Sequence, residues 1–263
     1  MKKSVIEIKN LSLNIANKSI LNSVSLQIFE GDYLSIIGPN GAGKTSLLKC
    51  LMRIYSAFKG TIQFQEKDLN KISQKNLAKK ICYVPQANGR VFPFTVEEFV
   101  MMGRYPHLSP FTSFRASDKD AVHNALQMTN IEPFAQRLMN TLSGGERQIV
   151  FITAALAQGA RTMLLDEPTT FLDPKHESEI YSILRKLNRE LGMTIVSVTH
   201  DINSAVIQSD KVIILKQGEV IYSGSASKIM TNEILEQAYG KSFTFIAHPI
   251  TGQKLIAPEV HST

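Results

Sequence analysis

Two cysteines, Cys50 and Cys82, are all the thiols that 263 residues carry. Two give neither a disulfide framework nor the ligand spacing of a zinc site. Such thiols are ordinarily small buried apolar groups, and a reducing compartment is the weak implication. No stretch approaches the roughly 18 consecutive apolar residues of a membrane-crossing helix. The first residues, Met1-Lys2-Lys3-Ser4-Val5-Ile6-Glu7, contain two lysines but no apolar run of signal-peptide length. The expected location is the cytosol, or a membrane face to which a partner attaches the chain. Basic tracts are missing too: the formal net charge is +6, yet Lys and Arg cluster only in pairs such as Lys79-Lys80 and Arg185-Lys186. An excess of this size suits an anionic ligand or a membrane surface, and no nucleic acid is expected as a partner. Internal repeats and low-complexity segments are absent. What is present is 43 % hydrophobic residues, enough to fill the core of one large domain, or of one domain with a subdomain.

The stretch with the most specific chemistry is Gly38-Pro39-Asn40-Gly41-Ala42-Gly43-Lys44-Thr45-Ser46, which fits G-x-x-x-x-G-K-[ST]. The apolar segment Tyr33–Ile37 before it reads as a strand, and Leu47–Met52 after it as a helix. That is the context a phosphate-binding loop needs. Glycines let backbone N–H groups curl around phosphate oxygens without Cβ clashes, and the helix start adds partial positive charge at the same point. Lys44 is placed to reach the β- and γ-phosphates and Thr45 to ligate Mg²⁺. The stretch reads as a nucleoside triphosphate site.

Around it the chain has an α/β texture. Residues 6–15 and 20–28 alternate and predict an antiparallel strand pair that turns at Glu30-Gly31-Asp32. Short strands are expected at 60–64 and at 81–84, the latter stopped by Pro85. From Gln86 to Leu142 the pattern becomes mostly helical. Thr95 and Glu98 form a capping box, Ser117-Asp118-Lys119-Asp120 is expected to open a second helix in the same way, and Gly103–Ala116 is a loop rich in proline and aromatics. Strand signals return at 162–165 and 194–199. Between them Asp173 caps a helix with Pro174 at its first position and an apolar set of Ile180, Ile183, Leu184, Leu187 and Leu191. Residues 212–215 and 220–222 flank a hairpin turn. His248–Thr263 is poorly periodic and is expected to be a loosely packed tail.

Two further clusters carry chemistry. Leu164-Leu165-Asp166-Glu167 ends a strand with adjacent carboxylates. The first is placed to hold Mg²⁺, and the second to take a proton from an attacking water. Leu142-Ser143-Gly144-Gly145-Glu146-Arg147-Gln148 opens an apolar helix, with Ser143 as N-cap and paired glycines that allow close backbone approach. This helix start is a second anion site. Since one nucleotide already has a full phosphate cradle, a second site invites a dimer in which each copy completes its neighbour's site.

In order and spacing the chain resembles an ATP-binding-cassette ATPase subunit over nearly its whole length. The matching elements are the phosphate loop Gly38–Thr45, the glutamine loop at Gln86, the signature Leu142–Glu146, the Walker B stretch Leu164–Glu167, the D-loop Leu172-Asp173 and the switch histidine His200. The resemblance implies an α/β fold: a P-loop NTPase core (about 1–86 and 143–245) with an antiparallel β subdomain, a helical insertion subdomain (87–142) and a C-terminal tail (246–263). It implies a head-to-tail dimer with two ATP molecules sandwiched. Lys44 and Thr45 then hold phosphates and Mg²⁺, and Gln86 senses the γ-phosphate and Mg²⁺. Ser143, Gly144 and Gly145 reach the γ-phosphate from the opposite copy, with Asp173 beside them. Asp166 supports Mg²⁺, Glu167 is the general base and His200 contacts the γ-phosphate. Two positions depart from the family pattern. Ile15 stands where an aromatic ring usually stacks on adenine, and the D-loop reads Thr170-Phe171-Leu172-Asp173 with a bulky Phe171.

Met102-Gly103-Arg104-Tyr105-Pro106-His107 resembles a segment of importers of iron–siderophore complexes, haem and cobalamin. Phe94-Thr95-Val96 and Ala247-His248-Pro249 fit the same subgroup. The implied partners are a second copy of the chain, integral-membrane permease subunits and, indirectly, a periplasmic or surface substrate-binding protein. The implied place is the cytoplasmic face of the membrane. An importer ATPase for another substrate, a soluble ATPase of the same family acting on nucleic acid or ribosomes, and a metabolic P-loop kinase are the rival readings. The single cassette and the lack of a basic tract weigh against the second, the signature and the Asp166-Glu167 pair against the third.

Overall fold

The computed structural model describes residues 3–86, 92–109 and 112–258. By their internal contacts the residues form two units, Met1–Asn70 with Val196–Thr263, and Lys71–Ile195. The first begins with β1 (Ser4–Ile15) and β2 (Lys18–Phe29), joined through Ala16 and Asn17. Both turn residues have positive φ, 45° and 64°, the twist that a two-residue hairpin requires. The two strands pair antiparallel from Ser4↔Phe29 to Ile15↔Lys18. Their alternation buries Ile6, Ile8, Leu11 and Leu13 against Leu21, Val24, Leu26 and Ile28, while the intervening polar residues face outward. The fully buried β3 (Tyr33–Ile37) then leads into α1 (Lys44–Leu51). Next, β4 (Phe58–Phe64) and β5 (Lys67–Asp68) complete a four-stranded sheet of order β2-β1-β4-β5.

The second unit starts with α2 (Gln74–Ala78), β6 (Ile81–Val84) and α3 (Val96–Met102). In α3 the Thr95–Glu98 capping box forms as its spacing predicts. The next helix, α4 (Ala116–Met128), starts earlier than expected. Ser117 is already helical, and the helix start is fixed by Asp118, whose carboxylate accepts from the Arg115 N–H at 2.9 Å. Arg104 decides this, because its guanidinium pairs with the other Asp118 oxygen at 3.0 Å and leaves the carboxylate one place to be. The unit continues with α5 (Gly144–Ala157), β7 (Thr162–Asp166) and α6 (Pro174–Arg189). Asp173 caps α6 and Ile180, Ile183, Leu184 and Leu187 are buried, but Leu191 lies beyond the helix end. Helix α5 touches α3, α4, α6 and β6. Strands β6 and β7 run parallel, Ile81↔Thr162 to Val84↔Leu165.

The boundary between the units falls within β8 (Thr194–Val198). After it come α7 (Ile202–Gln208), β9 (Lys211–Lys216), β10 (Glu219–Ser225) and α8 (Asn232–Tyr239). In the first unit the strand order is β10-β9-β3-β8, and in the second it is β8-β7-β6. Of the loosely packed tail expected over His248–Thr263, the described residues 248–258 are ordered instead. Strands β11 (Phe245–Ala247) and β12 (Lys254–Ile256) form a hairpin. Asn203 of α7 donates to the Ile256 carbonyl and accepts from its N–H, while Gln253 donates to the Val206 carbonyl. Phe245 and Ile256 then pack on the core of Ile202, Val206, Ile214, Ile229 and Leu235. The pattern was invisible because each strand has only three residues, too few to establish a period. Residues 259–263 lie outside the described ones.

Both cysteines are fully buried, Cys50 in α1 and Cys82 in β6. Burial pushes their thiols up, to about 11 and about 12. The attacking species is the thiolate. A disulfide-exchange reagent at pH 8 should therefore leave the native protein unlabelled and label both cysteines in denaturant. Fast labelling of one thiol in the native state would contradict this packing.

Candidate active site

The phosphate loop, Gln86, Glu167 and His200 follow the carboxyl ends of β3, β6, β7 and β8, the position at which open α/β sheets bind ligands, and Asp166 is the last residue of β7. The phosphate loop follows β3, and its shape rests on glycine. Gly38 has φ 142°, and a Cβ there would lie 2.0 Å from the Leu215 carbonyl oxygen. Gly43, the N-cap of α1, has φ 99°, and a Cβ would meet the Ile20 carbonyl and the Leu21 side chain at 2.8 Å. Larger residues are excluded at both points by space and by backbone conformation alike. The hairpin turn Gln217-Gly218 braces the loop from behind: the Gly218 N–H donates to the Ala42 carbonyl, and Asn22 N–H and Asn22 Nδ2 donate to the Gly218 and Gln217 carbonyls. Inside the loop Lys44, only 6 % exposed, donates through Nζ to the carbonyls of Gly38 (2.7 Å) and Pro39 (3.0 Å). Thr45 and Ser46 are the next residues of α1, half-buried at its first turn. Asn40 and Gly41 form the exposed rim.

Also in the first unit, the Thr199 N–H donates to the Ile36 carbonyl. This ties the end of β8 to the strand that enters the loop. His200 follows Thr199 and is exposed, and Asp201 caps α7 through the Ser204 N–H. Ile15 is half-buried at the end of β1.

In the second unit, Asp166 ends β7, 6 % exposed. Its Oδ2 accepts from the Tyr83 hydroxyl at 3.1 Å. Burial, with the Asp166 charge second, raises the Tyr83 phenol well above its ordinary range, so Tyr83 stays a neutral donor. Glu167 turns the chain in a left-handed conformation, φ 49°, which a non-glycine residue adopts rarely and at some cost. Its Oε2 accepts from Thr170 Oγ1 at 3.0 Å and from Gln86 Nε2 at 3.4 Å. The structure thus brings Gln86 and Glu167 together across 81 residues of sequence.

The signature is a capped helix start. Ser143 Oγ accepts from the Glu146 N–H (3.2 Å), and the Glu146 carboxylate accepts from the Ser143 N–H (2.7 Å). Gly144 and Gly145 form the first turn of α5. Asp173 serves as a cap, accepting from the N–H groups of Lys175 and His176. Beside it Phe171, with φ 65°, is 92 % exposed. Sequence reasoning missed Tyr83 and Thr170. Thr170, three residues after Glu167, was within reach of a local argument. Tyr83 was not, because nothing in the sequence sets the register of β6 on β7.

The sequence profile of the ABC transporter family matches residues 21–170. The chain belongs to that family. Among ABC relatives, the ferric enterobactin transport ATP-binding protein FepC of Escherichia coli (strain K12) is 36 % identical over 95 % of this chain and 92 % of its own. The iron(3+)-hydroxamate import ATP-binding protein FhuC of Bacillus subtilis (strain 168) is 38 % identical over 93 % and 91 %. Among solved structures, an inward-facing ABC transporter described as of the metal-chelate type superposes with a TM-score of 0.86 at 26 % identity, covering 98 % of both chains. A dimeric ATP-binding cassette in a post-hydrolysis state with ADP and Pi has a TM-score of 0.71 at 32 % identity, over 84 % of this chain and 98 % of that one. The ABC assignment makes this chain an ATP-binding ATPase, and one of a kind that dimerises and works with permease subunits.

Mg²⁺ is a hard cation that takes one or two protein oxygens and completes its shell with phosphate and water. In the second unit the Asp166 carboxylate, held by Tyr83, is an oxygen donor of that type, and in the first unit the Thr45 hydroxyl is another.

Proposed function

We propose that the chain hydrolyses ATP to power import of an iron chelate (a siderophore complex), haem or cobalamin, bound at the cytoplasmic membrane face through its permease. Two copies sandwich two ATP molecules head to tail. In each copy the backbone N–H groups of Gly38, Pro39, Asn40, Gly41, Ala42 and Gly43, with Lys44, Thr45 and Ser46, bind the phosphates. Thr45, Asp166 and Gln86 hold Mg²⁺, which when bound offsets the negative charge of the phosphate oxygens. Glu167 takes the proton of the attacking water, and Thr170 and Gln86 orient its carboxylate. His200 contacts the γ-phosphate, and Ser143, Gly144, Gly145 and Asp173 meet the partner's nucleotide. Ile15 offers the base area without a π-face. About 1–86 and 143–245 act as the catalytic core, 87–142 as the helical subdomain and 246–263 as its C-terminal tail.

The observation that carries the importer reading is the turn at Met102–His107. Gly103 lies so close to α5 that a Cβ would sit 2.3 Å from the Ala154 carbonyl oxygen. Arg104 donates to the Ala157 carbonyl at 2.7 Å and pairs with Asp118, and His107 Nε2 lies 2.8 Å from the Gln158 carbonyl. These contacts fix a short 3₁₀ turn, Tyr105–His107, that holds Tyr105 59 % exposed. Lys75 Nζ donates to the Leu108 carbonyl, which ties down the end of the turn. Phe111, expected in the same loop, lies outside the described residues. A rigid turn presenting an aromatic residue suits a helix of the permease. The names of FepC and FhuC, both iron-chelate transporters, point to the same class of cargo. Tyr105→Ala with Leu108→Ala should keep the melting temperature and the ATPase rate of the isolated subunit. Co-purification with the permease and chelate uptake should both fall. Full uptake by the stable double variant would remove the turn from the interface.

A further inference from the structure

His176 stands outside every motif above, yet it touches two of them. It lies in the first turn of α6, three residues after the cap Asp173. Its Nδ1 is 2.5 Å from Asp173 Oδ2, while the other carboxylate oxygen accepts from the backbone N–H groups of Lys175 and His176. A carboxylate only accepts, so Nδ1 carries the proton. The His176 side chain is 21 % exposed because the ring lies against the signature. A Cβ on Gly145 would fall 2.2 Å from His176 Cγ and 2.4 Å from Cδ2. Gly144 has a similar neighbour at a looser distance, Leu172 Cδ2, 3.7 Å from where its Cβ would be. The glycine at 145 is thus required by the imidazole on this side of the helix.

We propose that His176 is a positioning residue for ATP hydrolysis, clamping the signature Ser143–Glu146 to the D-loop Thr170–Asp173 so that both meet the second copy as one rigid surface. The inference rests on the head-to-tail dimer proposed above. Ser143, Gly145 and Asp173 come from two segments of chain, and each must reach the partner copy in a fixed geometry. A displacement on the order of 1 Å in such a site costs about 10²-fold in rate. The signature has contacts of its own as well. Glu146 binds back to Ser143 and pairs with Arg137 at 3.4 Å. Burial works to raise the Glu146 carboxyl, but the Ser143 hydrogen bonds and the Arg137 and His176 charges outweigh it and hold it low. The Asp173 carboxyl is held low chiefly by the His176 side chain. Lys175 and Glu179 of α6 line the same open cavity as His176 and Glu146.

The test uses three substitutions in the full chain. His176→Asn keeps an amide N–H near the place of Nδ1, His176→Gln carries its amide out toward Nε2, and His176→Ala removes both. Steady-state ATP hydrolysis should show kcat down by about tenfold or more in Ala and Gln, largely restored in Asn, with KM for ATP little changed. Placed in a Glu167→Gln background, His176→Ala should lower the fraction of ATP-induced dimer seen by light scattering. Wild-type kcat in His176→Ala, or equal loss in all three variants in step with the melting temperature, would make the ring a space filler and overturn the clamp. If Glu167→Gln alone binds ATP and stays monomeric, the dimer reading fails instead, and the Asn-against-Gln contrast in kcat still decides whether His176 positions these segments.

Discussion

Glu167→Gln is expected to bind ATP as the wild type does and to turn it over about 10²–10⁴-fold more slowly, the usual contribution of a positioned base. The amide has the size of the carboxylate and its oxygen still accepts from Thr170 Oγ1 and Gln86 Nε2, which orient Glu167. The left-handed backbone at this residue, φ 49°, is as accessible to glutamine as to glutamate. What is lost is the capacity to take a proton. Phosphate release measured at saturating ATP gives the rate, and light scattering with ATP should show dimer accumulating as hydrolysis stalls. A variant with near-normal turnover would assign the base elsewhere. The surroundings predict a graded companion result: Thr170→Val, which removes one orienting donor, should cost less than Glu167→Gln because the carboxylate itself remains.

Lys44→Ala acts one step earlier. Lys44 is 6 % exposed within the loop, and its ammonium donates to the Gly38 and Pro39 carbonyls. Beside a bound polyphosphate it makes charge-assisted hydrogen bonds, each worth about 1.5–3 kcal/mol. Losing one such contact is at least a tenfold drop in affinity, since about 1.4 kcal/mol is one decade. The expected result is a nucleotide dissociation constant raised tenfold or more in a fluorescent-nucleotide titration. The loop is also held by Gly218, Asn22 and the glycines at 38 and 43. The melting temperature without nucleotide should therefore fall only modestly. Unchanged affinity in a folded variant would mean that the lysine serves the loop and not the ligand.

Some of this architecture is written locally, and some is not. The phosphate loop, the Thr95–Glu98 box, the Ser143 and Asp173 caps and the buried strands at 33–37, 162–166 and 194–198 each depend on residues a few positions apart. Backbone sterics and orphan N–H groups act at that range, so residue type and spacing suffice. The start of α4 went astray because its deciding contact is Arg104, fourteen positions from Asp118. The C-terminal hairpin went unseen because its strands are held by Asn203 and Gln253 and by packing on a distant core, not by a pattern of their own.

The sequence by itself determined that this chain binds a nucleoside triphosphate and belongs with the ATP-binding cassettes, since those motifs are runs of adjacent residues whose chemistry survives without knowledge of the fold. Only the tertiary structure decided which side chains hold them in place. Tyr83 reaches Asp166 through the register of β6 on β7, Gln86 reaches Glu167 across a helical segment, and His176 fills the space that Gly145 leaves. These contacts join residues far apart in the chain or on facing elements. Strand register, helix docking and side-chain volume fix them together, and none of the three is encoded in any single stretch of sequence.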